Sequence, residues 1–220
     1  MSPIFYRNEI GEFHRDGGLP AVDRTNGTKE WYVNGDLHRE GGLPAVENAN
    51  GSKEWWVNGQ RHRDGGLPAV EWSSGSKKWY VNGDLHREGG LPAVENYDGY
   101  REWWFNGQLH REGRLPAVEW INGDKEWWVN DQLHREGGLP AVERVNGDKR
   151  WWLCGRKLSN DQVIAYMSFC QKMQEKKLAK AQKKIYFWWI QICYDLNHPS
   201  GCGKRMALKN LEMYQNMMKP

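Results

Sequence analysis

The sequence predicts a mainly β protein: an elongated solenoid of six stacked 24-residue β-hairpin repeats with a C-terminal α-helical cap. Three observations carry this. The block His-Arg-acid-Gly-Gly-Leu-Pro-Ala-Val recurs with small changes, so that His14, His38, His62, His86, His110 and His134 lie 24 residues apart. Trp31, Trp55, Trp79, Trp103, Trp127 and Trp151 keep the same interval. Between the blocks, short strand-forming segments flank glycine turns. A fixed short period marks a repeat array in which each unit buries its apolar face against its neighbours.

The repeat body is assigned to residues 1–155, with 1–18 as a degenerate capping half-repeat. In that half-unit Gly11, Phe13, His14 and Arg15 fall one period before Gly35, Leu37, His38 and Arg39. The third unit shows the pattern of a full repeat. Segments PAVEW and KKWYV flank a turn at Gly75, and Asn82-Gly83 makes a second turn before the linker DLHREGG. This reads as one hairpin per repeat, the glycine supplying the positive φ that the turn requires. Six hairpins and a starting strand give thirteen strands, a ribbon of about 60 Å at ~4.8 Å per strand.

Alternation along the second strand is expected to place Trp31 and Val33 on one face and Glu30, Tyr32 and Asn34 on the other. The six tryptophans then form one ladder that holds the fold, with one of the two ladders packed under the Leu-Pro-Ala segments. Tyr32, Trp56, Tyr80, Trp104, Trp128 and Trp152 form a second ladder, the candidate binding face. Three departures sit at turns or linkers: Asp131 for a turn glycine, Arg114 for one of a glycine pair, and Arg61 for a linker leucine.

The His-Arg-acid triplets invite a catalytic or metal reading, but catalysis needs one unique constellation and these repeat. Histidines about 10 Å apart cannot share a metal. The favoured reading is structural, each His and Arg bonding a turn or a carboxylate such as Glu40 or Glu47. No catalytic residue, no cofactor and no small-molecule substrate is expected.

Charge separates body from tail. Residues 1–155 carry 19 Lys+Arg against 24 Asp+Glu, a balance of −5, and residues 156–220 carry 12 against 4, a balance of +8. All four cysteines (Cys154, Cys170, Cys193 and Cys202) lie at or beyond the close of the repeats, which favours a reducing compartment over a secreted disulfide scaffold. No stretch resembles a signal peptide, and the longest apolar run, 185–190, is too short to span a bilayer. An intracellular, non-secreted protein is expected.

The tail, 156–220, begins with a capping box, Ser159 and Gln162, ahead of apolar residues at helical spacing. A break at 197–201 and a second helix from about Lys204 would complete a helix-turn-helix cap. Lys176, Lys177, Lys180, Lys183 and Lys184, with Phe187, Trp188 and Trp189, are the candidate interaction residues of the tail. They suit packing, a protein partner or phosphate neutralisation in nucleic acid. Cys193, His198 and Cys202, with Cys170 as a fourth, give only a weak zinc signal because no CxxC pair is present. Membrane association through the basic amphipathic stretch is the less favoured option.

The string REWWFNGQLHREG at 101–113, with Trp103, Asn106, Gly107, His110 and their equivalents, resembles the MORN repeat over residues 4–155. His-Arg in place of the family's common His-Gly, and the inserted Leu-Pro-Ala, are departures from it. The variant is similar to MORN-type proteins of large DNA viruses of amoebae, such as the marseillevirus group, and the tail is similar to a segment on those proteins. The resemblance implies a hairpin solenoid, a viral origin, a place in the host cytoplasm or virion, and a scaffold for protein–protein interaction; self-association would use the aromatic cluster of the tail. The alternative is a genome-packaging protein acting on nucleic acid through the basic tail.

Overall fold

A computed structural model of the chain describes residues 2–176. The described residues are mainly β, a thirteen-stranded antiparallel sheet of repeated hairpins followed by the helix Asn160–Lys176. Strand order in the sheet follows chain order. Ile4–Phe5 comes first, and each repeat then adds two strands, from Val22–Asp23 and Lys29–Glu30 through to Val142–Glu143 and Lys149–Arg150. The tail residues Lys177, Lys180, Lys183, Lys184, Phe187, Trp188, Trp189, Cys193, His198 and Cys202, and the proposed second helix, lie outside the described residues.

The chain forms two compact units, Met1–Gln132 with Val142–Lys149, and Leu133–Ala141 with Arg150–Pro220. In the first, every hairpin keeps one register: Val22 faces Glu30 and Asp23 faces Lys29, after which Lys29 faces Glu47 and Glu30 faces Val46. The outer row therefore reads Asp23, Lys29, Glu47, Lys53, Glu71, Lys77, Glu95, Arg101, Glu119, Lys125, Glu143. Opposite charges stand side by side at every step, each such pair stabilising by some tenths of a kcal/mol.

The expected single hairpin per repeat is corrected to two. KKWYV is not one strand: Lys77–Lys78 belongs to the long sheet, whereas Tyr80–Val81 pairs with Asp84–Leu85 in a separate small ladder. Trp79 is the pivot. Its N–H donates to Ala93 O at 2.9 Å, and its C=O accepts from the His86 N–H at 3.2 Å. The cause is the Asn-Gly pair, with φ of 50° at Asn82 and 88° at Gly83, the two positive values of a tight hairpin turn. The DLHREGG linker thus contributes a strand.

That pivot also overturns the expected faces. Trp31 is buried while Val33 is 39% exposed, so the two do not share an environment. The Leu-Pro-Ala expectation holds only in part. The alanines, from Ala21 to Ala141, are 0% exposed, but Leu19, Leu43, Leu67, Leu91 and Leu115 each keep 50% of their surface open.

The glycine pair before Leu19, Leu43, Leu67 and Leu91 is conformational. Gly41 and Gly42 have φ of 76° and 68°, and a Cβ at either would meet nothing within 4 Å. Gly42→Ala should therefore cost about 1–2 kcal/mol from backbone strain alone. A thermal melt indistinguishable from the parent would refute this. At Asp131, which replaces a turn glycine, φ is 62°. Its carboxylate accepts the Leu109 N–H at 2.7 Å, a contact no glycine could make.

In the second unit the small hairpin persists, Trp152–Leu153 with Arg156–Lys157, and Leu158 N–H donates to Trp151 O as histidine does elsewhere. The capping box forms as expected: Ser159 N–H donates to Gln162 Oε1 at 2.9 Å, and Gln162 N–H to Ser159 Oγ at 3.4 Å. Tyr166 of the helix is buried with Leu153 and Leu158, and Trp151, Cys154, Val163 and Cys170 pack against them.

Candidate functional site

Four of the His-Arg-acid triplets, at His14, His38, His62 and His86, are junctions between repeats. His38 Nδ1 accepts the N–H of Asn58, the turn residue twenty positions on, at 3.1 Å, while Nε2 lies 2.9 Å from Glu40. His14, His62 and His86 repeat the arrangement with Asn34, Asn82 and Asn106, and with Asp16, Asp64 and Glu88. An imidazole that accepts at Nδ1 carries its proton on Nε2, where the carboxylate receives it. The following arginine is equally committed. Arg39 donates to Pro44 O at 3.0 Å and to Glu47 at 2.8 Å, with its guanidinium 3.7 Å above the Trp31 ring. Glu40 and Glu47 are the two carboxylates expected from the sequence. Among the described residues, no group of three or more His, Cys, Asp or Glu could hold a metal ion.

The Trp31-type ladder is the interior. Trp31, Trp55, Trp79, Trp103 and Trp127 are 5–6% exposed, and Trp151 is half-buried. Each donates its indole N–H to the C=O of the residue thirteen before it, Gly18 for Trp31 and Gly138 for Trp151, at 2.9–3.0 Å. An arginine lies 3.6–3.7 Å over the rings of Trp31, Trp55, Trp79 and Trp103.

The second ladder, Tyr32, Trp56, Tyr80, Trp104, Trp128 and Trp152, is half-buried throughout. Four of its polar edges meet carboxylates of the same chain. Tyr32 donates to Glu30 at 3.0 Å, Trp56 to Glu54 at 3.2 Å, Trp104 to Glu102 at 2.7 Å and Trp128 to Glu126 at 3.0 Å. Burial, with Glu30 beside it, pushes the Tyr32 phenol up to about 12, so it stays neutral. Side chains of the small hairpins intercalate with the rings: Phe13 against Tyr32, and Leu109 packed with Trp104 and Trp128. Arg61 takes the leucine position, 4.7 Å over Trp56 and 5.6 Å from Tyr80, and bonds Glu54 at 3.1 and 3.2 Å. Sequence reasoning missed this second packed layer. Its signal is the 24-residue spacing of Phe13, Leu37, Arg61, Leu85 and Leu109.

What each repeat leaves open is regular: a half-exposed leucine and an exposed cation, Lys29, Lys53, Lys77, Arg101 or Lys125. The hairpin tips differ among themselves. Tyr97, Ile121 and Val145 are 66–75% exposed, where earlier repeats carry Thr25, Ala49 and Ser73.

Within the second unit His134 is 2% exposed. Its Nδ1 accepts the Cys154 N–H at 3.2 Å, with the thiol at 3.9 Å. Burial pushes this imidazole down to about 4. Burial also raises the Cys170 thiol. Lys176 is the last residue of the helix. No family model matches the chain, and neither a curated protein nor a solved structure is similar to it.

Proposed function

We propose that the chain is a hairpin solenoid acting as a non-enzymatic scaffold that holds other proteins along its repeated outer surface. One observation carries this reading. The histidines, arginines and glutamates that could do chemistry are bonded within the array, His38 to the next repeat and Arg39 to Pro44 and Glu47, while each repeat presents the same open leucine and cation. Two strands per repeat set a pitch of about 9.6 Å, so a partner meets the same groups at equal steps. The resemblance to MORN repeats supports this reading, and implies a location in the host cytoplasm or virion of a large DNA virus.

A second reading, binding of nucleic acid in genome packaging, rests on the +8 balance of residues 156–220. Affinity capture of the full chain from infected cells, with and without nuclease, separates the two. The comparison variant is Leu67→Lys/Leu91→Lys, which charges the open row without entering the core. Protein partners that survive nuclease and are lost with the variant are expected. Capture that collapses with nuclease or moderate salt, and ignores the leucines, would replace the scaffold by the packaging reading.

A further inference from the structure

Among the described residues, the first strand of the long sheet, Ile4–Phe5, is bonded on one side only, to Val22–Asp23. Tyr6, the next residue, fixes its place in the repeat. Tyr6 N–H donates to Ala21 O at 2.8 Å as Trp31 N–H does to Ala45 O, and Arg15 stacks 3.7 Å over Tyr6 as Arg39 does over Trp31. Tyr6 is thus the first member of the tryptophan ladder, and Ile4 and Phe5 stand where the first repeat has Lys29 and Glu30. The six later strands at this position carry only charge: Lys29, Lys53, Lys77, Arg101, Lys125 and Lys149, followed by Glu30, Glu54, Lys78, Glu102, Glu126 and Arg150. Ile4 and Phe5 are 51% and 50% exposed, and Tyr6, the next residue, is 37% exposed.

This inverts the usual rule, by which terminal repeats turn a polar face outward and edge strands carry charge to prevent pairing. Here the strand at the first edge of the sheet is apolar, whereas the equivalent strands inside the sheet, and Lys149–Arg150 at its other edge, are charged.

We infer that this edge is a self-association surface, on which a second copy of the chain adds its own Ile4–Phe5 strand antiparallel about a two-fold axis. Backbone geometry selects the register. The Tyr6–Ala21 bond makes Phe5 and Val22 the pair without mutual hydrogen bonds, so the Phe5 N–H and C=O point away from Val22–Asp23. Two copies with Phe5 opposite Phe5 exchange both bonds, and the antiparallel alternation continues across the axis. Pro3 has no N–H to offer at the next outward position, so a long foreign strand would be bonded incompletely, whereas the short two-fold contact loses little.

Charge complementarity argues against head-to-tail growth. The last strand of the sheet, Lys149–Arg150, is exposed and doubly cationic, a poor match for isoleucine and phenylalanine. The three side chains Ile4, Phe5 and Tyr6 expose on the order of 300 Å² per copy, about 600 Å² in a pair, below the ~1,200 Å² lower bound of a standard interface. The dimer is therefore weak and reversible. This inference stands apart from the scaffold reading and needs no other protein.

Sedimentation velocity on the purified full chain, under reducing conditions and from about 5 to 500 µM, covers the dissociation constants such an area gives. A monomer–dimer equilibrium is expected. Ile4→Lys/Phe5→Glu, which installs the charges the other repeats carry, should raise the dissociation constant at least tenfold, on the order of 1.4 kcal/mol, with an unchanged circular-dichroism melt. Ile10→Ser, outside the strand, should weaken the dimer less. Exchange of the Phe5 amide should slow as the parent is concentrated; this readout needs no variant, and so decides the matter if the charged variant fails to fold. A parent that stays monomeric throughout, masses that grow past the dimer, or Phe5 exchange independent of concentration would each overturn the proposal.

Discussion

Trp79→Ala should lower the unfolding free energy by about 3–5 kcal/mol, the largest loss expected from a single substitution in the repeat body. The ring is 5% exposed and lies 3.6 Å beneath the Arg87 guanidinium, and its N–H donates to Gly66 O at 2.9 Å. Deletion opens a cavity, leaves the Gly66 carbonyl without its donor and removes the surface on which Arg87 rests. Trp79→Phe keeps most of the apolar contact and loses the N–H, so its cost should be about 1–2 kcal/mol. Urea denaturation followed by far-ultraviolet circular dichroism reads both, since thirteen other tryptophans obscure fluorescence. In an array stabilised by nearest-neighbour contacts, the loss should centre on the third repeat and those flanking it. An alanine variant with the parent's midpoint would remove this ladder from the core.

The second large effect is one of pH. His134 is buried and its pKa is pushed down to about 4 by desolvation, against an ordinary value of 6.5. A base with a depressed folded-state pKa holds fewer protons folded than unfolded between those two values. Its contribution to stability is complete above pH 6.5 and is lost as pH falls towards 4, below which the curve flattens. The loss is on the order of 3 kcal/mol. Carboxylates titrate in the same range, so the measurement is a difference. Denaturation of the parent and of His134→Asn is compared at pH 7 and pH 4.5, asparagine keeping an acceptor for the Cys154 N–H. The parent should lose about 2–3 kcal/mol more than the variant over that interval. Parallel pH profiles would mean that His134 is hydrated and titrates normally.

The order of the strands was legible in the sequence because it follows from period alone. A 24-residue repeat with one Gly turn and one Asn-Gly turn dictates the order of strands, and the thirteen expected were found. The capping box at Ser159 was legible because its two bonds are local. The pivot at Trp79 was not, since period-2 reasoning assumes that KKWYV stays in one ladder. The competing demand of the Asn82-Gly83 turn, which draws Tyr80 onto Leu85, prevails. The junction role of the histidines was visible as a chemical expectation. Its geometry, a ring nitrogen accepting an amide twenty residues on, depends on stacking that no single repeat encodes. The bare edge at Ile4–Phe5 was present in the residues. It became readable only when Tyr6 was placed on the tryptophan ladder, because one extra residue between Tyr6 and His14 shifts the alignment.

The constant register carries a consequence for how the chain finds its fold. Lys29 meets Glu47 across 18 residues, and its nearly identical alternative, Glu71, lies one period of 24 further on. Closing the longer loop costs only about 0.7 kcal/mol more by chain entropy, a preference of roughly threefold. Chemically equivalent repeats would therefore skip a neighbour often during folding. The irregular contacts tell neighbours apart: Arg61 reaching Glu54 beside Tyr80, Tyr100 against Trp120, and Asp131 accepting from Leu109. Each occurs once in the first unit and joins a particular pair of repeats. Sequence drift away from the consensus, which looks like decay, supplies the addresses that keep the array in order.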